Sequence, residues 1–314
     1  MDHQTQENIY LSIVIPLYNE EDNVDVLIDT IIQNVLPLKV SYEIILVDDG
    51  SSDNTWNKIR QYSAPVKGVK LARNFGHQHA LLAGLSESKG DAIISMDGDM
   101  QHPPSLIEKL VEKHKEGYLV VNTYRNDAHV ASYFKRKTSS MFYKCFSFLT
   151  DVSMAPGTSD FRLLDKIVLK ELLKLKAQDL FLRGAVEWLG FESVTIPYVA
   201  GERFSGVSKY PLSKMLNFAK GSIISFSTKP LAIGVWLGVF TSALAFLEII
   251  YIIYQVLIGE TVAGWASTVG IISFLFGVLF IMLGIIGSYL ARIHVALQNR
   301  PRFIVEEITE KKDV

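Results

Sequence analysis

Two apolar runs near the C-terminus constrain this chain more than any other feature. Residues 231–258, "LAIGVWLGVFTSALAFLEIIYIIYQVLI", carry one charge, Glu248, and residues 262–291, "VAGWASTVGIISFLFGVLFIMLGIIGSYLA", carry none. Each is long enough to cross a hydrocarbon core of ~30 Å with some tilt, whereas buried core helices rarely stay this apolar beyond about 20 residues. Only "GET", 259–261, separates them, so the pair reads as a transmembrane hairpin. Lys229 precedes the first run, Arg292, Arg300 and Arg302 follow the second, and the link carries only Glu260. The positive-inside rule then predicts a multi-pass protein of the cytoplasmic (inner) membrane, with the large N-terminal part and both termini in the cytoplasm. The N-terminal "MDHQTQENIY" has no apolar h-region, so no cleaved signal peptide is expected. A formal net charge of -2 supplies no global basic field for nucleic acid. The single cysteine, Cys145, excludes an intramolecular disulfide and reads as a small core residue.

Upstream of the hairpin, strand-like and helix-like segments alternate. Residues 10–16 read as a buried strand, and "NEEDNVDVLIDTIIQNVL" as a helix with acids in its first turn. "YEIILVDDGSSD" is a second strand running into a turn, with Asp53 a candidate N-cap for a helix at 54–62. Then come a strand "VKGVKLARN", a helix "HQHALLAGLSESKG" closed by Gly90, and a strand "DAIISMD". A helix "PPSLIEKLVEKHKEG" and a fifth strand "YLVVNTYR" follow. This β-α alternation predicts an α/β fold with a mostly parallel sheet and helices on both faces. From 160 to 200 the pattern is mixed, with helices in "DKIVLKELLKL" and "LFLRGAVEWLG" and a strand in "FESVTIPYVA". Leu212, Met215, Leu216, Ala219, Ile223 and Phe226 then recur at helical steps among Lys209, Lys214, Lys220 and Lys229, which suits an amphipathic helix in the headgroup interface. The expected organisation is a polar tail 1–8, a catalytic domain 9–208, the juxtamembrane helix 209–228, two spans within 229–292 and a cytoplasmic tail 293–314.

Ligands of open α/β sheets bind outside the carboxyl ends of the strands. Here those ends are acidic: "PLYNE", "VDDGS" and "MDGDMQ". Neither G-x-G-x-x-G nor G-x-x-x-x-G-K-[ST] occurs, so the glycine-rich phosphate cradles are absent. Asp97 and Asp99 flank Gly98, and on a strand two such side chains point the same way. Close carboxylates repel unless a cation neutralises them, and Mg²⁺ or Mn²⁺ held by two carboxylates typically bridges to phosphate oxygens. Gln101 continues the series as a carbonyl ligand. A solvated acidic turn is the bland alternative. His77 and His79, at i and i+2 on a helix, do not share a face and read as polar surface or substrate-side residues rather than zinc ligands.

"SIVIPLYNEEDNV", "YEIILVDDGSSDNT", "LARNFGHQHALLAGL", "DGDMQHPP", "SDFRLLD" and the terminal apolar pair together resemble a family 2 glycosyltransferase of GT-A fold. The similarity is nearest to polyprenyl-phosphate glycosyltransferases, the dolichyl-phosphate mannose synthases and bactoprenol glucosyltransferases. The resemblance implies a nucleotide site at Pro16, Tyr18, Glu20, Asp48, Asp49 and Ser51; Arg73 and Asn74 could equally brace that site or simply cap the strand. It implies metal and diphosphate binding by Asp97, Asp99 and Gln101, and a basic acceptor-phosphate site at Arg125, Arg136, Arg203 and Lys209. "GTSDFRL" matches an acceptor-side motif, giving Asp160 and Arg162 the sugar and acceptor positioning roles; Arg162 could equally be a structural ion-pair partner. Asp160 need not be a general base, because a phosphate monoester with a second pKa of ~6 is already ionised at neutral pH. Where the family shows D-A-D-x-Q-D-P-P, this chain has Gly98 for Ala, permitting close backbone approach, and His102 for the third Asp. The implied reaction is inverting transfer of a sugar from a nucleotide sugar to polyprenyl (undecaprenyl) phosphate at the bilayer, with Mg²⁺ or Mn²⁺, for cell-envelope glycosylation. UDP-glucose is the donor that bacterial members suggest; UDP-N-acetylhexosamine and GDP-mannose stay open, as does a homo-oligomer. A polysaccharide-extending membrane transferase would need more spans and a Q-x-x-R-W motif, where this chain has "EWLGF". A noncatalytic membrane scaffold would leave the three acidic strand ends without a purpose.

Overall fold

The computed structural model describes residues 9–125, 158–175, 181–199, 227–259 and 264–309. Arg136, Cys145, Arg203, Lys209 and most of the amphipathic segment lie outside the described residues. One compact unit holds residues 1–145, 152–214 and 301–314; a second holds 146–151 and 215–300.

The first unit is built on an eight-stranded sheet of order β7-β5-β6-β4-β1-β2-β3-β8. Its strands are β1 (Leu11–Leu17), β2 (Tyr42–Asp48), β3 (Val66–Leu71), β4 (Ala92–Ser95), β5 (Val120–Arg125), β6 (Thr158–Asp165), β7 (Ser193–Tyr198) and β8 (Val305–Ile308). All seven residues of β1 are buried, as a parallel strand covered on both faces requires. Helix α1 (Val24–Val35) buries Val24, Leu27, Ile28, Ile31 and Val35, the apolar stripe visible in the sequence. The other sheet-packed helices are α2 (Thr55–Ile59), α3 (His77–Glu87), α4 (Ile107–Lys115), α5 (Lys166–Lys174) and α6 (Leu182–Leu189).

The sheet is mostly parallel, as expected, but two strands run the other way. "TSDFRLLD", not assigned as a strand from the sequence, is β6 and lies antiparallel between β4 and β5. The tail after the second apolar run is not simply a tail: β8 pairs antiparallel with β3 and covers that edge. Three boundaries shift. Helix α3 stops at Glu87 with Ser88 as its cap, short of Gly90. Asn54, not Asp53, occupies the N-cap position of α2, although the Asp53 carboxylate accepts Thr55 N at 3.0 Å and does the capping chemistry. Strand β4 ends at Ser95, before either aspartate of the D-x-D motif.

In the second unit, helices α7 (Lys229–Leu257) and α8 (Trp265–Leu297) are long and apolar enough to cross a membrane. Met282 of α8 sits where a side chain at Gly234 of α7 would be. Trp236, Phe240, Phe246, Phe274 and Phe280 are exposed outside the pair, a surface that water does not favour. The second helix continues to Leu297, five residues beyond the expected limit of the spans at Arg292.

Candidate active site

Strand β6 brings Asp160 to the edge where β1, β2 and β4 end. Ser95 pairs with Arg162, so the chain leaving β4 carries Asp97 abreast of Asp160. Asp97 and Asp99 lie in the turn beyond β4, with Met100 at φ +63°, so strand alternation is not what orients them. Asp97 Oδ1 is buried and makes no hydrogen bond; His77 Nε2 lies 3.3 Å from it without suitable alignment. The same His77 nitrogen is 3.9 Å from Asp160 Oδ2, so this histidine at the start of α3 stands between the two acids. Asp99 Oδ1 accepts Gln101 N at 3.1 Å. The Gln101 side-chain carbonyl, expected to face a metal, instead accepts a hydrogen bond from Arg125 at 2.8 Å. Gly98 does allow a close approach, but to Leu17 of β1, whose side chain fills the space a Cβ would take.

His102, the residue without an assignment in the sequence, is buried at 5 % exposure. Its Nδ1 accepts Asp97 N at 2.8 Å, and its Nε2 lies 2.8 Å from Ser159 Oγ of β6. The ring stacks on Phe161 at 5.1 Å between centroids and meets Tyr198 edge-on at 6.0 Å. Burial pushes its pKa down, against the upward pull of Asp97, Asp99 and Asp160, and an Nδ1 that accepts Asp97 N carries no proton, so the ring is uncharged.

Asp160 is 4 % exposed and its charge is compensated. Arg183 donates Nε to Oδ1 at 2.8 Å and Nη2 to Oδ2 at 2.7 Å. Gln78 donates to Oδ2 at 3.2 Å, and its own carbonyl accepts Leu182 N, tying α3 and α6 to the acid. Burial alone would raise the Asp160 pKa; the Arg183 and Arg162 guanidiniums outweigh it and hold the carboxyl well below the usual range. Arg162 is equally buried, bonded to Ser159 O at 2.8 Å and 4.0 Å from Asp160, with Nη1 lacking a partner. It lies in the core of the sheet as an ion-pair neighbour. Sequence reasoning missed Arg183. Its signal was a lone cation in "LFLRGAVEWL", with only apolar or small residues for three positions on either side, since a charge on a burying face implies a partner.

The nucleotide-side residues gather at the ends of β1 and β2. The turn after Tyr18 is stitched to the turn after Asp49: Asn19 N donates to Ser51 Oγ at 2.9 Å, Ser52 N to Asn19 Oδ1 at 2.8 Å, and Glu20 N to Thr55 Oγ1 at 3.0 Å. Glu20 accepts from Asn23 Nδ2 at 2.5 Å. Pro16 sits within β1, and Tyr18 is 47 % exposed, open to stack on a ligand. Asp48 is fully buried; Oδ1 accepts Ser51 N at 3.2 Å, while Oδ2 makes no hydrogen bond. Burial raises its pKa. Asp49 is differently employed, its oxygens accepting Phe75 N at 2.7 Å and Gly76 N at 2.9 Å. Gly50 at φ +66° abuts the Arg73–Asn74 backbone, where any Cβ would collide. The Arg73 guanidinium lies 4.1 Å from the Phe75 ring centre, a cation–π contact that shapes the loop. Asp49, Gly50 and Phe75 therefore build the loop that carries Arg73.

A divalent cation fits this arrangement. Among the described residues no group of three or more His, Cys, Asp and Glu forms a ready cage. Mg²⁺ and Mn²⁺ are commonly held by one or two carboxylates, with substrate phosphates and water completing the shell. Asp97, with its buried and unsatisfied Oδ1, and Asp99 match that donor set, whereas Gln101 is engaged by Arg125.

The model of the family Glycosyl transferase family 2 matches residues 12–173. Among curated relatives, the chain is 38 % identical over 304 residues to YkcC of Bacillus subtilis, an uncharacterized glycosyltransferase, covering 96 % of this chain and 94 % of that one. It is 35 % identical over 303 residues to a bactoprenol glucosyl transferase of Shigella phage SfII, covering 95 % and 97 %. Among solved structures, the mannosyltransferase PcManGT from Pyrobaculum calidifontis, in complex with GDP-Man and Mn²⁺, aligns with a TM-score of 0.46 at 16 % identity, over 94 % of this chain and 88 % of that one.

Proposed function

The chain belongs to glycosyl transferase family 2, and from that premise we propose that it moves a sugar from a nucleotide sugar to a polyprenyl phosphate. The observation that carries the acceptor class is the state of Asp160. A carboxylate held ionised by Arg183, with both oxygens engaged, is a poor proton acceptor. The acceptor must therefore arrive already ionised. A phosphate monoester does, with a second pKa of ~6, and a sugar hydroxyl does not. This disfavours a polysaccharide-extending transferase, and the relatives named bactoprenol glucosyl transferase favour the phosphate.

In this reading an acceptor phosphate oxygen attacks the anomeric carbon from the face opposite the diphosphate. The C1–O bond to the diphosphate breaks as the new C1–O bond forms, so configuration inverts. Asp97 and Asp99 hold Mg²⁺ or Mn²⁺, which when bound neutralises the departing diphosphate. Asp48 accepts the imide proton of the base, Tyr18 stacks on it, and Ser51 and Arg73 line the same edge. Asp160 orients rather than deprotonates, and Arg125, at the end of β5 and bonded to Gln101, is assigned to the acceptor phosphate by the resemblance of its motif. By the resemblance of their motifs, Arg136, Arg203 and Lys209 complete the acceptor's cationic surroundings. UDP-glucose is the donor this reading takes first, because relatives are named glucosyl transferases. Helices α7 and α8 anchor the enzyme in the membrane that holds its acceptor, replacing a search in volume by positioning at a surface.

The test is a panel of UDP-glucose, UDP-N-acetylglucosamine, UDP-N-acetylgalactosamine and GDP-mannose against undecaprenyl phosphate in detergent, with Mg²⁺ or Mn²⁺. Lipid-linked sugar forms from at least one donor, and undecaprenol in place of its phosphate gives none. Absence of transfer from every donor overturns the function; equal transfer to the alcohol overturns the acceptor argument.

A further inference from the structure

Resting on the reading of Asp97 as a cation ligand, we propose that His102 is a positioning residue that sets Asp97 for the cation and fastens the metal turn to strand β6. The sheet stops supporting this stretch early. Met96 N still donates to Val14 O of β1 at 3.1 Å, but β4 itself ended at Ser95. The next amide, Asp97 N–H, has no strand to donate to and is received by His102 Nδ1. Met100, in left-handed backbone, turns the chain so that a side chain five residues on reaches back to Asp97.

An accepting Nδ1 leaves the proton of the uncharged ring on Nε2, which then donates to Ser159 Oγ. Phe161 N also donates to Ser159 Oγ at 3.1 Å, and the Tyr198 hydroxyl lies 3.3 Å from it, within reach of the serine's own proton, so Ser159 Oγ is itself fixed on three sides. Ser159 directly precedes Asp160. One ring therefore sets the backbone of Asp97 and, through a neighbouring residue, the strand that carries Asp160. The planar contact with Phe161 removes the ring's remaining rotational freedom.

The chemistry explains why an imidazole suits this position better than the third acid of the related motif. A carboxylate there could accept Asp97 N–H, but it would add a negative charge where Nε2 now stands, 3.5 Å from Asp97 Oδ2. It would also have no proton to give Ser159. The ring supplies one acceptor and one donor on opposite sides, and leaves the charge of the turn to Asp97 and Asp99.

The test uses full-length protein in detergent and reads Mn²⁺ binding directly, by the electron paramagnetic resonance signal of free Mn²⁺, with UDP or GDP present and absent. His102→Phe keeps the stacked shape and loses both polar contacts. His102→Asn keeps a carbonyl close to the position of Nδ1. Loss of an outer partner of a metal ligand typically weakens binding 10–100-fold. The Phe variant should show that loss, and the Asn variant should stay within about threefold of wild type. Unfolding midpoints in EDTA identify a variant that has lost its fold rather than its cation geometry. Mn²⁺ affinity of a folded Phe variant equal to wild type overturns the inference, as does a folded Asn variant that binds as weakly as Phe. A wild type that binds no Mn²⁺ under any of these conditions overturns the cation reading, and this inference with it.

Discussion

Arg183 closes both oxygens of Asp160, with Nε on Oδ1 at 2.8 Å and Nη2 on Oδ2 at 2.7 Å, where the acid is 4 % exposed. Removing one partner of such a pair strands the other. Asp160→Asn leaves Arg183 and the fully buried Arg162 uncompensated and should cost about 3–5 kcal/mol of stability. The sign with pH follows from the depressed folded pKa: the pair stabilises fully above the unfolded value near ~3.9 and its contribution is lost as pH falls toward the folded value. The difference in unfolding midpoint between wild type and Asp160→Asn should therefore be largest near neutrality and shrink below about pH 4. Transfer by the variant should drop at every pH while the acid limb of the rate profile stays near ~6, where the acceptor phosphate ionises. An acid limb that vanishes in Asp160→Asn would return the residue to general-base duty.

Asp48 presents the opposite case, a fully buried carboxylate with one oxygen satisfied by Ser51 and the other by nothing among the described residues. A group left in that condition costs stability unless a ligand completes it. Asp48→Asn keeps an acceptor for Ser51 N and removes the charge. In the absence of nucleotide the variant should unfold at the same temperature as wild type or higher. Because burial raises the folded pKa, wild type gives up stability as pH rises through that value, and the variant should not. The KM for the donor should rise at least about tenfold, equivalent to ~1.4 kcal/mol, with kcat less affected. Donor binding by calorimetry together with ligand-free melting checks both halves. A destabilised variant with unchanged donor affinity would make Asp48 a structural acid.

How much of this was legible in the sequence follows from the range over which each signal acts. The buried parallel strands β1 and β2 declare themselves as local apolar runs, and so do α7 and α8. The acids at the strand ends were visible because a charge after an apolar run has few explanations. Strand β6 was not, because its residues alternate between two buried faces: Ser159 and Phe161 meet His102, while Asp160 and Arg162 lie by Arg183. A buried polar strand breaks the apolar pattern that betrays strands. The partnerships Asp160–Arg183, His102–Ser159 and Gln101–Arg125 join residues 23, 57 and 24 positions apart, and no local pattern encodes them. Strand β8 was hidden for the same reason, being a four-residue edge strand whose partner lies more than 200 residues earlier.

That edge strand makes its own prediction. Ala72 N donates to Ile304 O at 2.9 Å, Gly68 N to Thr309 Oγ1 at 2.7 Å, and Trp56 Nε1 to Glu307 Oε2 at 3.2 Å. Ala72 directly precedes Arg73, so the strand also secures one end of the Arg73 loop. A chain ended after Phe303 should show faster hydrogen exchange at the amides of Gly68 and Ala72, with exchange in the β1–β4 centre of the sheet unchanged. Donor KM should rise severalfold through the loosened loop. Unchanged exchange at Gly68 would mean that β8 does not pair with β3 in solution.

The same pairing constrains topology. Residues on both sides of the two apolar helices, Val69–Leu71 before them and Val305–Ile308 after them, belong to one sheet. A sheet cannot be divided by a bilayer, so any crossings between these strands must be even in number, and α7 and α8 are long and apolar enough to supply two. With Lys229, Arg292, Arg300 and Arg302 flanking the helices, the side holding the sheet should be the cytoplasm. The single native cysteine makes this measurable. In a Cys145→Ser background, Glu260→Cys should react with an impermeant maleimide from outside intact spheroplasts. Lys311→Cys should react only after the membrane is opened or in inverted vesicles. Labelling of both positions from the same side would break the two-crossing arrangement, and with it the expectation that the sheet and both termini lie in the cytoplasm.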